Sequence, residues 1–143
     1  MPLKRVSPEE AQQLVQSQGY VYVDVRSVPE FEAGHPEGAY NVPILHMGRH
    51  GMSPNPEFLD VMQRRFAKDA KLVVGCRSGG RSLQAAHVLA SVGFSDVVDQ
   101  RAGFEGGPDP SGRMEPGWRP AGLPVARQAA AGHDYEALRT RGR

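Results

Sequence analysis

The sequence predicts an α/β fold in which a mainly parallel central sheet is flanked by helices. Three short runs rich in β-branched and aromatic residues, at 20–25, 71–75 and 95–99, are typical of buried strands. Segments with helical spacing and capping residues lie between these runs. Because strands and helices alternate along the chain, we expect parallel strands joined by right-handed connections.

The first helix is predicted from its capping residues. Ser7 can cap the helix, Pro8 suits its first position, and Glu10 completes a capping box. Apolar residues at helical spacing continue the pattern, and a glycine follows it. The predicted helix therefore covers residues 8 to about 17.

A second, shorter helix is predicted to begin after Ser27, with Glu30 in the capping-box position three residues later. Glycine and proline at 34–38 then indicate a turn, and residues 39–42 resemble a brief strand. The helix is expected to be short because the turn follows so closely.

The middle of the chain predicts a long loop followed by two further helices. Residues 46–56 are rich in glycine, proline and asparagine and are interpreted as loop. Asn55 is expected to cap a helix over 56–66, and a later helix is predicted over 81–92. The strand 71–75 lies between these two helices.

The C-terminal part of the chain differs in composition from the rest. Residues 106–124 are dense in glycine and proline, and we interpret them as a loop that wraps the domain, with Trp118 packed on its body. Residues 126–143 are expected to form a loosely ordered tail with a possible short helix. One domain is therefore predicted over residues 1–125.

Length, charge and cysteine content limit the possible classes of function. The chain has 143 residues, the size of one domain, and a net charge of +1. This balance indicates neither a nucleic acid nor a membrane as partner. The single cysteine excludes an internal disulfide, and no secretion signal is evident. His46 and His50, in the predicted loop over residues 46–56, match no standard metal site. We therefore expect a cytoplasmic protein without a metal or cofactor.

The single cysteine marks the most informative loop. Cys76 lies where the predicted strand 71–75 passes into a glycine-rich loop that opens a helix. Backbone N–H groups and the positive end of the helix dipole converge at such a loop and bind anions. The same surroundings favour the thiolate, which is the nucleophilic form of cysteine. Because Arg77 and Arg81 frame the loop, we interpret Cys76 as a nucleophile rather than an inert core residue.

Several stretches together make the chain resemble the rhodanese family in its single-domain form. They are Asp-Val-Arg at 24–26, Glu-Phe-Glu-Ala-Gly-His-Pro-Glu-Gly-Ala-Tyr-Asn-Val-Pro at 30–43, Cys-Arg-Ser-Gly-Gly-Arg-Ser at 76–82, Ala-Gly-Phe at 102–104, and Gly-Leu-Pro at 122–124. They occur in the order that the family has, over roughly residues 5–125. The resemblance implies a rhodanese-like three-layer fold.

The resemblance also implies a sulfurtransferase. Cys76 would accept the sulfane sulfur of thiosulfate or a related small anionic donor and hold it as a persulfide. The persulfide would then pass its sulfur to a thiol or cyanide acceptor, with a thioredoxin-like protein among the candidates. Loop N–H groups would stabilise the anionic sulfur, the arginines would bind the donor, and a loop serine would donate to the sulfur. The expected donor-binding residues are Arg77, Ser78, Gly79, Gly80, Arg81 and Ser82.

Two alternatives remain open at this point. The protein could be a persulfide carrier or binding module that serves a partner enzyme and shows little free turnover. Rhodanese-like phosphatases and arsenate reductases share the fold, but their loop resembles Cys-x-x-x-x-x-Arg. From Cys76 to Arg81 inclusive this loop has six residues, one fewer, which favours sulfur over phosphate.

Two charged residues follow the predicted strand 20–25 and are assigned as supporting residues. Asp24 and Arg26 stand at the end of that strand, and the ends of parallel strands meet at one edge of a sheet. A role in orienting a cationic group near Cys76 is possible for Asp24. We favour the simpler interpretation, in which Asp24 pairs with Arg26 or with a backbone N–H.

Overall fold

A computed structural model of the protein describes residues 3–140; residues 1–2 and 141–143, the ends of the predicted domain and tail, lie outside the described part. The strands are β1 Lys4–Val6, β2 Val21–Asp24, β3 His35–Pro36, β4 Tyr40–Asn41, β5 Leu45–Gly48, β6 Gly51–Pro54, β7 Lys71–Gly75, β8 Asp96–Gln100, β9 Gly106–Pro108, β10 Met114–Pro116 and β11 Val125–Ala126. The helices are α1 Pro8–Ser17, α2 Val28–Ala33, α3 Phe58–Arg65, α4 Gly80–Ser91 and α5 Tyr135–Thr140.

Five strands form the central sheet in the order β1-β8-β7-β2-β4, and every neighbouring pair is parallel. The predicted α/β class is therefore confirmed. The edge strand β1 is absent from the sequence prediction, because its three residues are too few to show alternation. It is held by pairing with β8, in which Lys4 lies opposite Val98.

Helices cover both faces of the sheet, which gives the three layers that the resemblance implies. Side chains alternate along β7, so that Leu72 and Val74 face one core and Val73 faces the other. The first core packs the sheet against α3, α4 and α5, and the second packs it against α1 and α2. Both faces of β7 are therefore buried from solvent, which agrees with its continuous apolar run.

The predicted caps of α1 and α2 are present. The Ser7 hydroxyl accepts the Glu10 N–H at 3.1 Å, and the Glu10 carboxylate accepts the Ser7 N–H at 2.9 Å. The observed bounds of α1 are those expected. At α2, the Glu30 carboxylate accepts both the backbone N–H and the hydroxyl of Ser27. Local capping signals thus located both helix starts correctly.

The predicted loop over residues 46–56 is wrong for most of its length. Strands β5 and β6 form an antiparallel hairpin, in which Met47 lies opposite Met52. A two-residue turn joins Gly48 to Gly51, and Gly51 has a φ of +102° that glycine adopts without strain. The side chains of this hairpin are largely exposed, so its strands lack the apolar pattern by which buried strands are predicted.

The predicted helix over residues 56–66 begins two residues later than expected, at Phe58. Asn55 does not cap it directly, because its side-chain oxygen accepts the Glu57 N–H at 2.9 Å and closes the turn before the helix. Its side-chain N–H groups donate instead to Pro43 and to the Tyr135 hydroxyl. Asn55 therefore joins three separate parts of the chain.

The glycine- and proline-rich segment 106–124 contains the hairpin of β9 and β10 and then a turn that begins at Trp118. Trp118 is buried, its ring meets Tyr22 edge-on at 5.3 Å, and its indole N–H donates to the Pro124 carbonyl at 2.6 Å. The segment lies on the same face of the sheet as α1 and α2.

Composition predicts a loosely ordered tail after residue 125 with a possible short helix; the structure has this helix, α5, and it is docked on the domain. Tyr135 and Leu138, three residues apart on one helical face, are both buried in the first core. These two buried side chains therefore hold in place a segment whose alanine, glycine and arginine content predicts loose order. Among residues 3–140, no helix combines the length and the apolar character needed to cross a membrane.

The burial of Leu138 leads to a stability prediction. Leu138→Ala should lower the free energy of unfolding by about 2–5 kcal/mol, because it leaves a cavity beneath α5. Glu136→Ala, on the exposed side of the same helix, is the matched control and should change it by less than about 0.5 kcal/mol. Urea unfolding measures both values. Equal small effects would show that α5 does not contribute to the core.

Candidate active site

Cys76 lies directly after β7, at the carboxyl edge of the sheet, and its residue surface is 2% exposed. The Gly79 N–H donates to the Cys76 sulfur at 3.1 Å. Gly79 has a φ of +106°, and a Cβ there would collide with the Arg101 carbonyl oxygen. Only glycine therefore fits the position from which this N–H reaches the sulfur.

Helix α4 begins at Gly80, beside the sulfur. The N–H groups of its first turn have no partner within the helix, and they carry the positive end of its dipole. With Gly79, they form a backbone cradle that suits an anionic sulfur. The sequence prediction of a loop that opens a helix at Cys76 agrees with this geometry.

The two loop serines differ in position. Ser82 is buried, and its hydroxyl oxygen lies 3.5 Å from the Cys76 sulfur. Ser78 is exposed and makes no side-chain hydrogen bond within residues 3–140. Of the two serines expected to serve the sulfur, Ser82 is the one that the fold places there.

The two loop arginines also differ. The Arg81 guanidinium donates to both carboxylate oxygens of Glu30, at 2.7 and 3.0 Å. Burial alone would raise the pKa of the Glu30 carboxyl, but hydrogen bonds from Arg81 and Ser27 and the charge of Arg81 lower it to about 2. Arg81 is predicted to bind the donor, and in the structure its guanidinium is paired with Glu30, which the capping box of α2 brings within reach.

Arg77 is exposed, and its guanidinium makes no ion pair or hydrogen bond within the described chain. It lines a cavity of about 340 Å³ next to the Cys76 loop. The other lining residues are Arg26, Glu30, Ala33, Gly34, Phe104, Glu105 and Arg119. Arg77 is therefore the loop arginine without a direct partner among the described residues, although its positive charge helps to lower the pKa of Glu105 across the cavity.

The supporting residues Asp24 and Arg26 form a buried ion pair at 2.7 Å. The Asp24 carboxylate also accepts the backbone N–H of Arg26, and the Arg26 guanidinium donates to the Gly34 carbonyl. The same guanidinium lies 4.3 Å from the centre of the Phe104 ring. The strand-end pairing favoured by the sequence analysis is thus the one observed, and it shapes the wall of the cavity.

Residues after β8 hold the Cys76 loop in place, which the sequence analysis did not anticipate. The Phe104 N–H donates to the Cys76 carbonyl at 2.7 Å, and the Glu105 N–H donates to the Arg77 carbonyl at 3.0 Å. A Cβ at Gly103 would collide with the Arg77 carbonyl. The Ala-Gly-Phe stretch was identified only through the resemblance, and close backbone approach is its physical reason.

A second missed residue is Asp99, which is fully buried near the end of β8. Its carboxylate accepts the Ser82 hydroxyl at 2.5 Å and the Arg5 guanidinium at 2.7 Å. Burial raises the pKa of Asp99 above its ordinary value, against the lowering effect of these two hydrogen bonds. The available signal was a charged residue directly after the apolar pair Val97 and Val98.

No group of three or more histidine, cysteine, aspartate or glutamate side chains within the described residues is arranged to hold a metal ion.

Comparisons with known proteins agree with this geometry. A model of the rhodanese-like domain matches residues 7–107. Thiosulfate sulfurtransferase 16, chloroplastic, from Arabidopsis thaliana is 44% identical over 86 residues, which are 60% of this chain and 72% of that protein. Thiosulfate sulfurtransferase GlpE from Pseudomonas fluorescens is 39% identical over 102 residues, covering 71% of this chain and 82% of that protein.

Among solved structures, the Rv0390 protein from M. tuberculosis superposes with a TM-score of 0.72 at 28% identity, covering 90% of this chain and all of that one. Other curated relatives are longer, and the matched part of this chain spans 51% of two of them. The similarity to those relatives therefore concerns one domain.

The Glu30–Arg81 ion pair makes stability depend on pH. Because the folded pKa of Glu30 lies below its ordinary value of 4.5, the pair stabilises the fold above about pH 4.5, and this contribution is lost as the pH falls towards 2. Glu30→Gln should lower the free energy of unfolding by roughly 1–2 kcal/mol at pH 7. Urea unfolding of both proteins at several pH values should show this gap closing between about pH 5 and 2. A gap that is constant with pH would contradict the assignment.

Proposed function

The chain belongs to the rhodanese-like sulfurtransferase family, and on this premise we propose that it transfers a sulfane sulfur through a persulfide on Cys76. The proposed donor is thiosulfate or a related small anion, and the acceptor is a thiol or cyanide. The observation that carries the proposal is the Cys76 sulfur, held at 3.1 Å by the Gly79 N–H where α4 begins.

Two displacement steps complete the reaction. The Cys76 thiolate attacks the outer sulfur of thiosulfate, the new S–S bond forms, and sulfite leaves with the electron pair of the broken S–S bond. The acceptor then attacks the outer sulfur of the persulfide, and the Cys76 thiolate is regenerated. Covalent storage divides one difficult transfer into two easier ones. Neither step requires a cofactor.

The loop backbone supports both anionic states of the cysteine. The thiolate and the persulfide each carry a negative charge, and the Gly79 N–H and the first turn of α4 are fixed before either forms. Because hydrogen bonds from Phe104 and Glu105 anchor the loop, the cradle does not have to reorganise during the reaction.

Arg77 is proposed to bind the donor. A planar guanidinium suits the oxygens of a thiosulfonate group, and Arg77 is free and faces the adjacent cavity. Arg26 and Arg119 add positive charge to the same cavity, although each is already paired with a carboxylate. The donor would therefore be held by Arg77 and by the loop N–H groups, with Arg81 in a structural role.

Phosphatase or arsenate reductase chemistry receives no support from the geometry. The loop has the six-residue spacing from Cys76 to Arg81, and the Arg81 guanidinium is directed to Glu30. A cytoplasmic location and a thioredoxin-like or small thiol as acceptor are further parts of the proposal, because a lone reactive thiol suits a reducing compartment.

The first test concerns Cys76 itself. The protein incubated with thiosulfate and cyanide should produce thiocyanate, and Cys76→Ser should abolish this activity because no other thiol exists in the chain. Colorimetric detection of thiocyanate measures the rate. No turnover by the intact protein with thiosulfate or any other sulfane donor would refute a sulfurtransferase acting on free substrates.

The persulfide carrier remains the alternative, and mass spectrometry separates it from the enzyme. A protein isolated with one additional sulfur on Cys76, combined with negligible thiosulfate turnover, would identify a carrier. Rapid turnover together with a transient additional sulfur on Cys76 would identify an enzyme.

The second test concerns donor binding. Arg77→Ala should raise the KM for thiosulfate about tenfold with little change in kcat, because it removes a charged hydrogen-bond donor from the binding step. Arg113→Ala, which removes an exposed arginine from the turn between β9 and β10, is the matched control and should leave both constants unchanged. Equal kinetics for the two variants would remove Arg77 from the donor site.

A further inference from the structure

The Ser82 hydroxyl stands between two ionisable groups and carries one hydrogen. Its oxygen lies 2.5 Å from the Asp99 carboxylate and 3.5 Å from the Cys76 sulfur, with the Gly79 carbonyl at 3.3 Å. Ser82 and Asp99 are both fully buried, so water does not replace a missing partner. The single hydrogen can be donated to only one acceptor at a time.

The protonation states of the two outer groups are therefore linked. When Asp99 is ionised, the Ser82 hydroxyl donates to it, and the remaining lone pair of that oxygen accepts the S–H of Cys76. When Cys76 is a thiolate, the same hydroxyl must turn to the sulfur, and the Asp99 oxygen then needs a proton of its own. Two buried anions cannot share one hydroxyl hydrogen favourably.

We propose that Asp99 is a positioning residue that takes the proton of the Cys76 thiol through Ser82. The S–H proton moves to the Ser82 oxygen while the hydroxyl proton moves to the Asp99 carboxylate. The products are a thiolate that accepts the Ser82 hydroxyl and a neutral Asp99 that donates to the Ser82 oxygen. Atoms and charge balance, because one negative charge moves from the carboxylate to the sulfur.

Burial favours the neutral form of Asp99 that this transfer requires. Its carboxyl is fully buried, and burial disfavours the ionised state, in agreement with the raised pKa. The Arg5 guanidinium opposes this by stabilising the carboxylate, but it lies on the edge strand and is partly exposed to solvent. Arg5 can still donate to the carbonyl oxygen of a neutral Asp99.

Other charged and titratable groups also act on Cys76 and Asp99. Arg81 lies near the sulfur on α4, and His87 of the same helix acts on Asp99. Tyr22 of β2 lies within electrostatic range of Cys76, and both Tyr22 and Arg81 lie within range of Asp24. None of these groups is linked to the sulfur by a hydrogen bond within residues 3–140, so Ser82 is the route that the geometry provides to Asp99.

The inference rests on the proposed role of Cys76 as a nucleophile, but its test needs neither donor nor acceptor. Ultraviolet absorbance of the thiolate, recorded against pH with Cys76→Ser as the blank, reports one residue because the chain has one cysteine. A failure of sulfur transfer would leave this titration interpretable, and a failure of the titration would leave the transfer assay unaffected.

The sign of the shift decides the proposal. If Asp99 accepts the proton, Asp99→Asn should raise the midpoint of thiolate formation by about one pH unit. If Asp99 is only a nearby anion, the same variant should lower the midpoint, because a repelling charge is removed. Asp96→Asn, on the same strand, is the matched control and should leave the midpoint unchanged.

The Ser82→Ala background tests the route. Ser82→Ala should itself raise the midpoint, and adding Asp99→Asn to it should raise the midpoint no further. An equal upward shift from Asp99→Asn with and without the hydroxyl would overturn the proposal, as would a downward shift or none in the wild-type background. Near-ultraviolet circular dichroism of the buried Trp118 verifies that each variant is folded.

Arg5→Ala gives an independent test if Asp99→Asn does not fold. Loss of Arg5 makes the Asp99 carboxylate a stronger proton acceptor, so the midpoint should fall. If Arg5 acted only as a cation near the thiolate, its removal would raise the midpoint of thiolate formation. A raised or unchanged midpoint in Arg5→Ala would therefore overturn the proposal.

Discussion

Parallel pairing around β7 is the constraint on which the site depends. β7 lies between β2 and β8, and the register sets Asp24 opposite Gly75 and Asp99 opposite Val74. Carboxyl ends of parallel strands meet at one edge, so two carboxylates flank the strand that delivers Cys76. Each carboxylate is buried, and each has its own arginine as partner. Cys76 thus stands between two carboxylates that are each paired with an arginine.

This arrangement explains how the positive charges near the site are divided. Arg26, Arg5 and Arg81 are each committed to an acidic partner, and removing one of them would leave an uncompensated, partly or fully buried carboxylate. Arg77 forms no ion pair with a carboxylate among the described residues. A cation that is not needed for the fold is available for an anionic ligand, so the fold itself distinguishes the two arginines that frame the loop.

Short-range signals were enough to predict most of the sheet and the Cys76 loop. The capping boxes at Ser7 and Ser27 act over three residues, and the strand and loop around Cys76 are continuous in sequence. The pairing of Glu30 with Arg81 spans 51 residues, and that of Asp99 with Arg5 spans 94. The position of Glu30 three residues after Ser27 is fully explained by the capping box of α2, so nothing in the sequence indicates that Glu30 also pairs with Arg81.

In the proposed reaction, burial of the Cys76 sulfur restricts the access of the donor more than that of the acceptor. The resting sulfur is almost inaccessible, yet the outer sulfur of a persulfide stands about 2 Å beyond it, the length of one S–S bond. Loading therefore alters the reach of the site as well as its chemistry. A small anionic donor must approach closely enough to meet the inner sulfur, whereas an acceptor has only to meet the outer one. In the proposed reaction the donor step would consequently set the stricter demand on the cavity beside Arg77, and the acceptor step would tolerate a larger nucleophile.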